Sequence, residues 1–207
     1  MPDLRSSDSL AAFVADVEQL RLRHADEHTL AAAVATRLAP FLRQPDWLAD
    51  AHREPWEDRY RQHLLHVAPD GGFSIVALVW KPGQATPIHD HVCWCVVGVY
   101  QGEECETRYR LYQEGDERFL VEASRDVAAP GETVALVPPA EDIHRVTCIG
   151  DDLAISIHVY GADIGTLGSS INHRFDDLAI RPDAGNATLV NWRDFVASGR
   201  DAYAVAH

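Results

Sequence analysis

No segment of this chain is long and apolar enough to span a bilayer, because its longest apolar stretches are short and broken by charge. The opening residues, MPDLRSSDSLAAF, lack the basic start and apolar run of a secretory signal, so a cytoplasmic location is expected. Cysteine is scarce: Cys93, Cys95, Cys105 and Cys148 include no CxxC pair. Without a signal, and in so large a chain, a disulfide scaffold is not expected. Cys93 and Cys95 also lack the partner pair of a structural zinc site, and buried or free thiols are the plain reading. Positive charge is in short supply, with 18 Lys and Arg against 32 Asp and Glu and a formal net charge of -14. Nucleic acid and anionic membrane would be repelled. No phosphate-cradling loop, internal repeat or low-complexity segment is present.

What is present suits one domain with a helical extension: 207 residues, 46% of them hydrophobic, can bury a sizeable core. The first third reads as helical. Leu10, Phe13, Val14, Val17 and Leu20 recur at helix spacing over Leu10 to Leu22, behind Ser9 as N-cap. A second helix is expected from Thr29 to Leu42, with Pro40 disturbing its last turn, then a turn and short helix from Gln44 to Trp56. From about Tyr60 the pattern changes to short β-rich runs: Phe73–Trp80, Trp94–Tyr100, Glu103–Tyr112, Glu117–Ala123, Thr133–Val137, Arg145–Ile149 and Leu153–Tyr160. Gly- and Pro-containing turns separate them, which predicts a sandwich or barrel. We therefore expect a mainly β fold, with a helical region over 1–58 packed on a barrel over 59–207 that carries a C-terminal extension. Beyond Gly161 the pattern is weak.

The sharpest local feature is His89-Asp90-His91. Two residues apart in a strand context, the histidines leave one face, and on a barrel wall they converge on the interior. His144, at the start of a later strand, is the natural third ligand of a metal site. Asp90 should point the other way, in a structural role with an arginine nearby. An isolated His-x-His is often only surface or hydrogen-bonded histidine, and that is the reading for His24, His28, His52 and His207. His63 and His66 have no evident third partner. Ser156, His158 and Tyr160 share one strand face, opposite Ile155, Ile157 and Val159. Facing a barrel interior they need to hydrogen-bond one another. They do not make a hydrolytic triad, lacking a carboxylate orienter and a nucleophile elbow.

Around the first two histidines the pattern resembles the cupin superfamily: Gly83, His89, His91 and Gly102 stand at the places of its first motif. Pro139 and His144 fit the second motif, where Glu141 replaces a glycine and Cys148 an asparagine. The first-motif glutamate is Cys95 here, and by parity it should look inward. A site of three neutral histidines leaves the metal its full charge and open positions, suited to an anionic substrate beside dioxygen and less so to magnesium or calcium. Adding Ser156-x-His158-x-Tyr160, the chain from about Tyr60 to Gly161 looks like the cysteine dioxygenase (thiol dioxygenase) family. The resemblance implies a cupin barrel, iron(II) on His89, His91 and His144, and a small thiol carboxylate with dioxygen as reactants, giving a sulfinate. The metal's charge favours the thiolate at neutral pH. Tyr160 would hydrogen-bond the reactants, with His158 and Ser156 orienting it.

The residue matching the family's carboxylate-anchoring arginine is Gln62, which resembles the bacterial branch that accepts 3-mercaptopropionate. Gly161 to Ser170 lacks the arginine that branch often places there, so Arg61 and Arg174 are the candidate anchors. The leading substrates are 3-mercaptopropionate and cysteine. Other cupin chemistry, such as a carbon–carbon-cleaving dioxygenase or an isomerase, usually keeps the missing glutamate. A non-catalytic ligand-binding cupin would hold no metal after gentle purification. In the family's animal members a cysteine near the first motif is joined to the tyrosine matching Tyr160, so the resemblance offers a Cys95–Tyr160 thioether as the alternative to a plain buried thiol at Cys95. Peptide mapping after turnover decides: a joined Cys95–Tyr160 pair lighter by two hydrogens shows the thioether, and an unmodified Tyr160 peptide excludes it.

Overall fold

A computed structural model of the chain describes residues 4–138 and 142–190. Pro139, Glu141 and His207 lie outside the described residues. Two helices open the fold, α1 (Leu4–Arg23) and α2 (Glu27–Leu38). Because α1 starts at Leu4, Ser9 lies inside it and is not its cap. Asp26 caps α2, its carboxylate accepting from the Thr29 amide at 2.8 Å. α2 ends at Leu38 rather than Leu42, since Pro40 cannot extend it, and Phe41–Arg43 forms a separate 3-10 turn. The short helix expected before Trp56 is a 3-10 turn, Asp50–His52.

Strands follow in the order β1 (Arg61–Val67), β2 (Ser74–Trp80), β3 (His89–His91), β4 (Cys95–Gln101), β5 (Glu103–Glu114), β6 (Glu117–Ala128), β7 (Thr133–Leu136), β8 (His144–Ile149) and β9 (Ala154–Tyr160). After a one-turn helix α3 (Ile164–Leu167) come β10 (Ile171–Arg174), β11 (Ala179–Arg181) and β12 (Thr188–Leu189). All seven expected strands are present. The weakly patterned tail contributes three further short strands.

The strands form a five-stranded sheet, β1-β2-β9-β4-β7, and a seven-stranded sheet, β10-β3-β8-β5-β6-β11 with β12 beside β5. This is the mainly β, cupin-type architecture expected, except that the two sheets face each other without closing into one cylinder. Alternation along each strand sorts the core into layers. Val76, Leu78, Val97, Val146 and Cys148 pack between the sheets. Ile75, Ala77, Val79, Ile155, Ile157 and Val159 face outward from the five-stranded sheet into a cluster with Phe13, Val17, Val34 and Leu38 of the helices. Both faces of β2 and β9 are thus covered, and every residue in these strands is buried. This explains the unbroken apolar run of β2.

The helices lie close on this sheet. A Cβ at Gly98 would come within 2.5 Å of Leu42 Cδ1 and 2.9 Å of Leu38 Cδ2, so glycine there sets the spacing between helix and strand. A third cluster, with Ile88, Leu111, Leu120 and Phe175, covers the far side of the other sheet.

Candidate metal centre and cavity

His89 and His91 flank Asp90 on the three-residue strand β3, and β3 pairs antiparallel with β8 so that His89 and His144 are direct partners. Ring centroids are 4.7 Å apart for His89–His144, 4.8 Å for His89–His91 and 4.9 Å for His91–His144. One ring nitrogen from each lies within 4.8 Å of the others, the spacing a single metal ion requires. No other cluster of this kind occurs among the described residues.

The outer nitrogens of two rings are held. His89 Nδ1–H donates to the Pro87 carbonyl at 3.0 Å, and His144 Nδ1–H to Glu106 Oε1 at 2.6 Å. Glu106 in turn accepts from Arg108 at 3.1 and 3.2 Å. His144 Nε2 is buried with no hydrogen-bond partner, as is His91 Nδ1, which stands 3.9 Å from Asp142 Oδ2. Asp142 instead accepts from the His91 amide at 3.1 Å. Buried ring nitrogens without partners fit a site built for a cation. Burial holds the His89 imidazole down to about pKa 4, and burial plus mutual repulsion pushes His91 and His144 well below the usual range. All three are neutral at pH 7, with lone pairs free to ligate.

Asp90 faces away from this centre, as parity requires, but its partner is not an arginine. It accepts from the His173 amide at 2.6 Å, His173 Nδ1 at 3.2 Å and Asn172 at 3.3 Å, tying β3 to β10. Away from this centre, His63 meets the Glu54 carbonyl at 3.0 Å, and the His66 ring lies tilted against Phe73 with centroids 5.4 Å apart.

The three histidines open into a cavity of about 340 Å³. His158 and Tyr160 line it from β9, Gln62 and Tyr60 from the other edge, and Ser170 and Arg174 from the tail. His158 lies between its neighbours, with Nε2 2.9 Å from Ser156 Oγ and Nδ1 3.1 Å from the Tyr160 hydroxyl. Burial lowers His158 to about pKa 3 and raises the Tyr160 phenol well above its usual value. Both are therefore neutral. Trp80 Nε1 donates to Ser156 Oγ at 3.1 Å.

Cys95 is fully buried but does not line the cavity. Between His91 and Cys95 the chain passes from one sheet to the other, so alternation cannot be counted through from the histidines. Cys95 still faces inward, because β4 sets it opposite Tyr160 on β9, and its sulfur is 4.0 Å from His158 Nδ1.

Of the candidate anchors, Gln62 and Arg174 line the cavity and Arg61 does not. Adjacent strand residues leave opposite faces, and Arg61 turns out to Glu54 at 3.2 Å and to the Trp56 ring. Tyr60 lines the cavity with Gln62 and feels the Arg174 charge. The sequence reading missed Glu106, Asp142 and Tyr60. Glu106 meets His144 through the register of β5 against β8, which no local pattern marks. Asp142 and Tyr60 have no pattern that marks them.

Removing the Glu106 carboxylate by Glu106→Gln leaves His144 without its anionic partner. Metal affinity is expected to fall about 10- to 100-fold by competition with a chelator. Unchanged affinity would show that Glu106 does not support His144.

Among solved structures, the chain resembles a cupin superfamily protein from Desulfitobacterium hafniense, with 14% identity over 53% of this chain and 84% of that one and a TM-score of 0.40. It likewise resembles an RmlC-like cupin protein from Desulfovibrio desulfuricans, with 21% identity over 55% of this chain and 92% of that one and a TM-score of 0.40. The family model described as cysteine dioxygenase type I matches residues 7–174, a span that includes both helices, the three histidines, the β9 relay and Arg174. The chain belongs to the cysteine dioxygenase type I family.

Proposed function

We propose that this chain is a thiol dioxygenase that converts 3-mercaptopropionate, with cysteine as the second candidate, to its sulfinate with dioxygen, using iron(II) on His89, His91 and His144. The observation that carries this reading is a cluster of three neutral buried histidines with no carboxylate among them, opening into the cavity that Tyr160 also lines. Such nitrogen donors favour a first-row transition ion over magnesium or calcium. When bound, the metal supplies the charge that favours a thiolate and the open positions for sulfur and dioxygen.

The protein's own groups do the rest. Tyr160, kept neutral by burial, holds a proton at its hydroxyl within reach of a ligand in the cavity. His158 and Ser156 fix the direction of that hydroxyl. Arg174 lines the cavity and has no ion-pair partner among the described residues, which leaves its guanidinium to meet a substrate carboxylate. Gln62 supplies a neutral donor to the same cavity. Val76, Leu78, Val146 and Ile164 line the cavity with apolar surface and limit water around the sulfur.

The choice between substrates follows from the lining. Among the described residues no Asp or Glu lines the cavity, so the ammonium of cysteine would lose water there without gaining an anionic partner. 3-Mercaptopropionate carries no such group.

Oxygen uptake by the iron(II)-loaded protein is expected to be fastest per unit concentration with 3-mercaptopropionate and weaker with cysteine. Arg174→Ala should cut kcat/KM for 3-mercaptopropionate by about 10- to 150-fold, the loss of one charged hydrogen bond at about 1.5–3 kcal/mol. It should matter far less for a thiol without a carboxylate. Iron-loaded protein that consumes no oxygen with any thiol would contradict the reading.

A further inference from the structure

Arg174 reaches the cavity through an irregularity in its strand. β10 is an edge strand of the seven-stranded sheet and pairs antiparallel with β3, with Ile171 opposite His91 and Arg174 opposite His89. Two steps along β3 thus match three along β10, and Asn172 and His173 both stand opposite Asp90. Such a β-bulge is a common way to re-aim a side chain at a sheet edge or beside an active site.

Its effect follows from strand parity. Residues directly opposite each other in an antiparallel pair leave the same face of the sheet. His89 and His91 face the cavity, and so do Arg174 and Ile171. Three apart, Ile171 and Arg174 would point to opposite faces of a regular strand. Regular pairing from Ile171 would instead bring His173 opposite His89 and turn Arg174 outward. Beyond the bulge alternation resumes, and Phe175 is buried on the far side with Ile88, Leu111 and Leu120.

Asp90 fills the bulge. Its residue is only 4% exposed, between the two ligand histidines. Oδ1 accepts the His173 amide at 2.6 Å, and both oxygens lie 3.2 Å from His173 Nδ1. Oδ2 also accepts from Asn172 Nδ2 at 3.3 Å. These groups all donate, so an acceptor-only side chain suits the place and an amide, with hydrogens of its own, suits it less. Without the carboxylate the His173 amide loses its acceptor, and regular pairing, which gives backbone groups partners again, gains on the bulge. Past Arg174 the chain is pinned a second time, where Asp176 Oδ1 accepts the Ile88 amide at 3.0 Å and Arg145 at 2.6 Å. The arginine is thus held from both sides.

We propose that Asp90 is a positioning residue for Arg174: by holding the bulge it turns the guanidinium toward the cavity, and so couples the strand of the metal ligands to the group that meets a substrate carboxylate. The consequence for the substrate rests on the thiol dioxygenase reading, but the placement of the arginine does not.

Calorimetry on protein loaded to the same iron(II) content, with dioxygen excluded, measures binding without turnover. The probes are 3-mercaptopropionate and 1-propanethiol, which has the same carbon chain and no carboxylate. Asp90→Ala is expected to weaken 3-mercaptopropionate about 10-fold or more and propanethiol less than about 2-fold. Asp90→Asn keeps one acceptor oxygen for the His173 amide and should fall between the two; it carries the test where Asp90→Ala does not fold. In an Arg174→Ala background the Asp90 substitution should add less than about 2-fold. Equal weakening of both thiols would place the effect at the metal ligands and overturn the proposal. A loss that persists undiminished without Arg174 would overturn it too. In a crystal structure of the variant, β10 is expected to lose its bulge and Arg174 to leave the cavity; bulge and arginine unchanged there contradict the proposal. A wild type that binds neither thiol would defeat the dioxygenase reading instead, and the variant's structure would still decide the placement of Arg174.

Discussion

Three imidazoles crowded into one buried point constrain everything around them. Each has lost its water, and burial holds all three neutral, with repulsion between protonated rings adding to it at His91 and His144. Neutral rings in an apolar interior still need partners for their nitrogens. The fold answers on the outer side, where Pro87 and Glu106 take the Nδ1 hydrogens of His89 and His144. On the inner side His144 Nε2 has no protein partner, and a cation shared with the other two rings would complete it. The pairing of β3 with β8 and the grip of Asp90 on β10 hold the rings in this arrangement.

The same cavity is assembled from parts far apart in the chain. None of the described helix residues lines it, yet the helices cover the outer face of β2 and β9 and so allow the inner face to carry polar groups at defined places. Neutral donors gather along one wall of the pocket, and the cation Arg174 comes from the tail at another. A thiolate and a carboxylate on one small molecule match that division. Carboxyl groups stand behind the lining: Glu106 behind His144 and Asp142 behind the His91 backbone.

Much of this was legible in the sequence because period-two alternation is strict within a strand. It set Ser156, His158 and Tyr160 on one face and Ile155, Ile157 and Val159 on the other, and the structure divides them in that way. The rule fails where the strand ends. Counting from His91 to Cys95 crosses between sheets, so Cys95 faces inward because of its pairing with Tyr160 and not because of its spacing. Local rules also missed the start of α1 and the end of α2, where the N-terminal residues extend one helix and Pro40 stops the other. The short tail strands carry too few residues for periodicity to show, although Arg174 reaches the cavity through one of them. Partners such as Glu106 to His144 are set by cross-strand register, which composition does not reveal.

The central claim is an open site of three histidines that accepts sulfur. X-ray absorption at the iron edge of the iron(II)-loaded protein, before and after 3-mercaptopropionate is added, tests it most directly. The account predicts a light-atom shell that includes three imidazoles, gaining one sulfur neighbour when the thiol binds. A first shell containing sulfur before any thiol is added, or one that gains none afterwards, would contradict it.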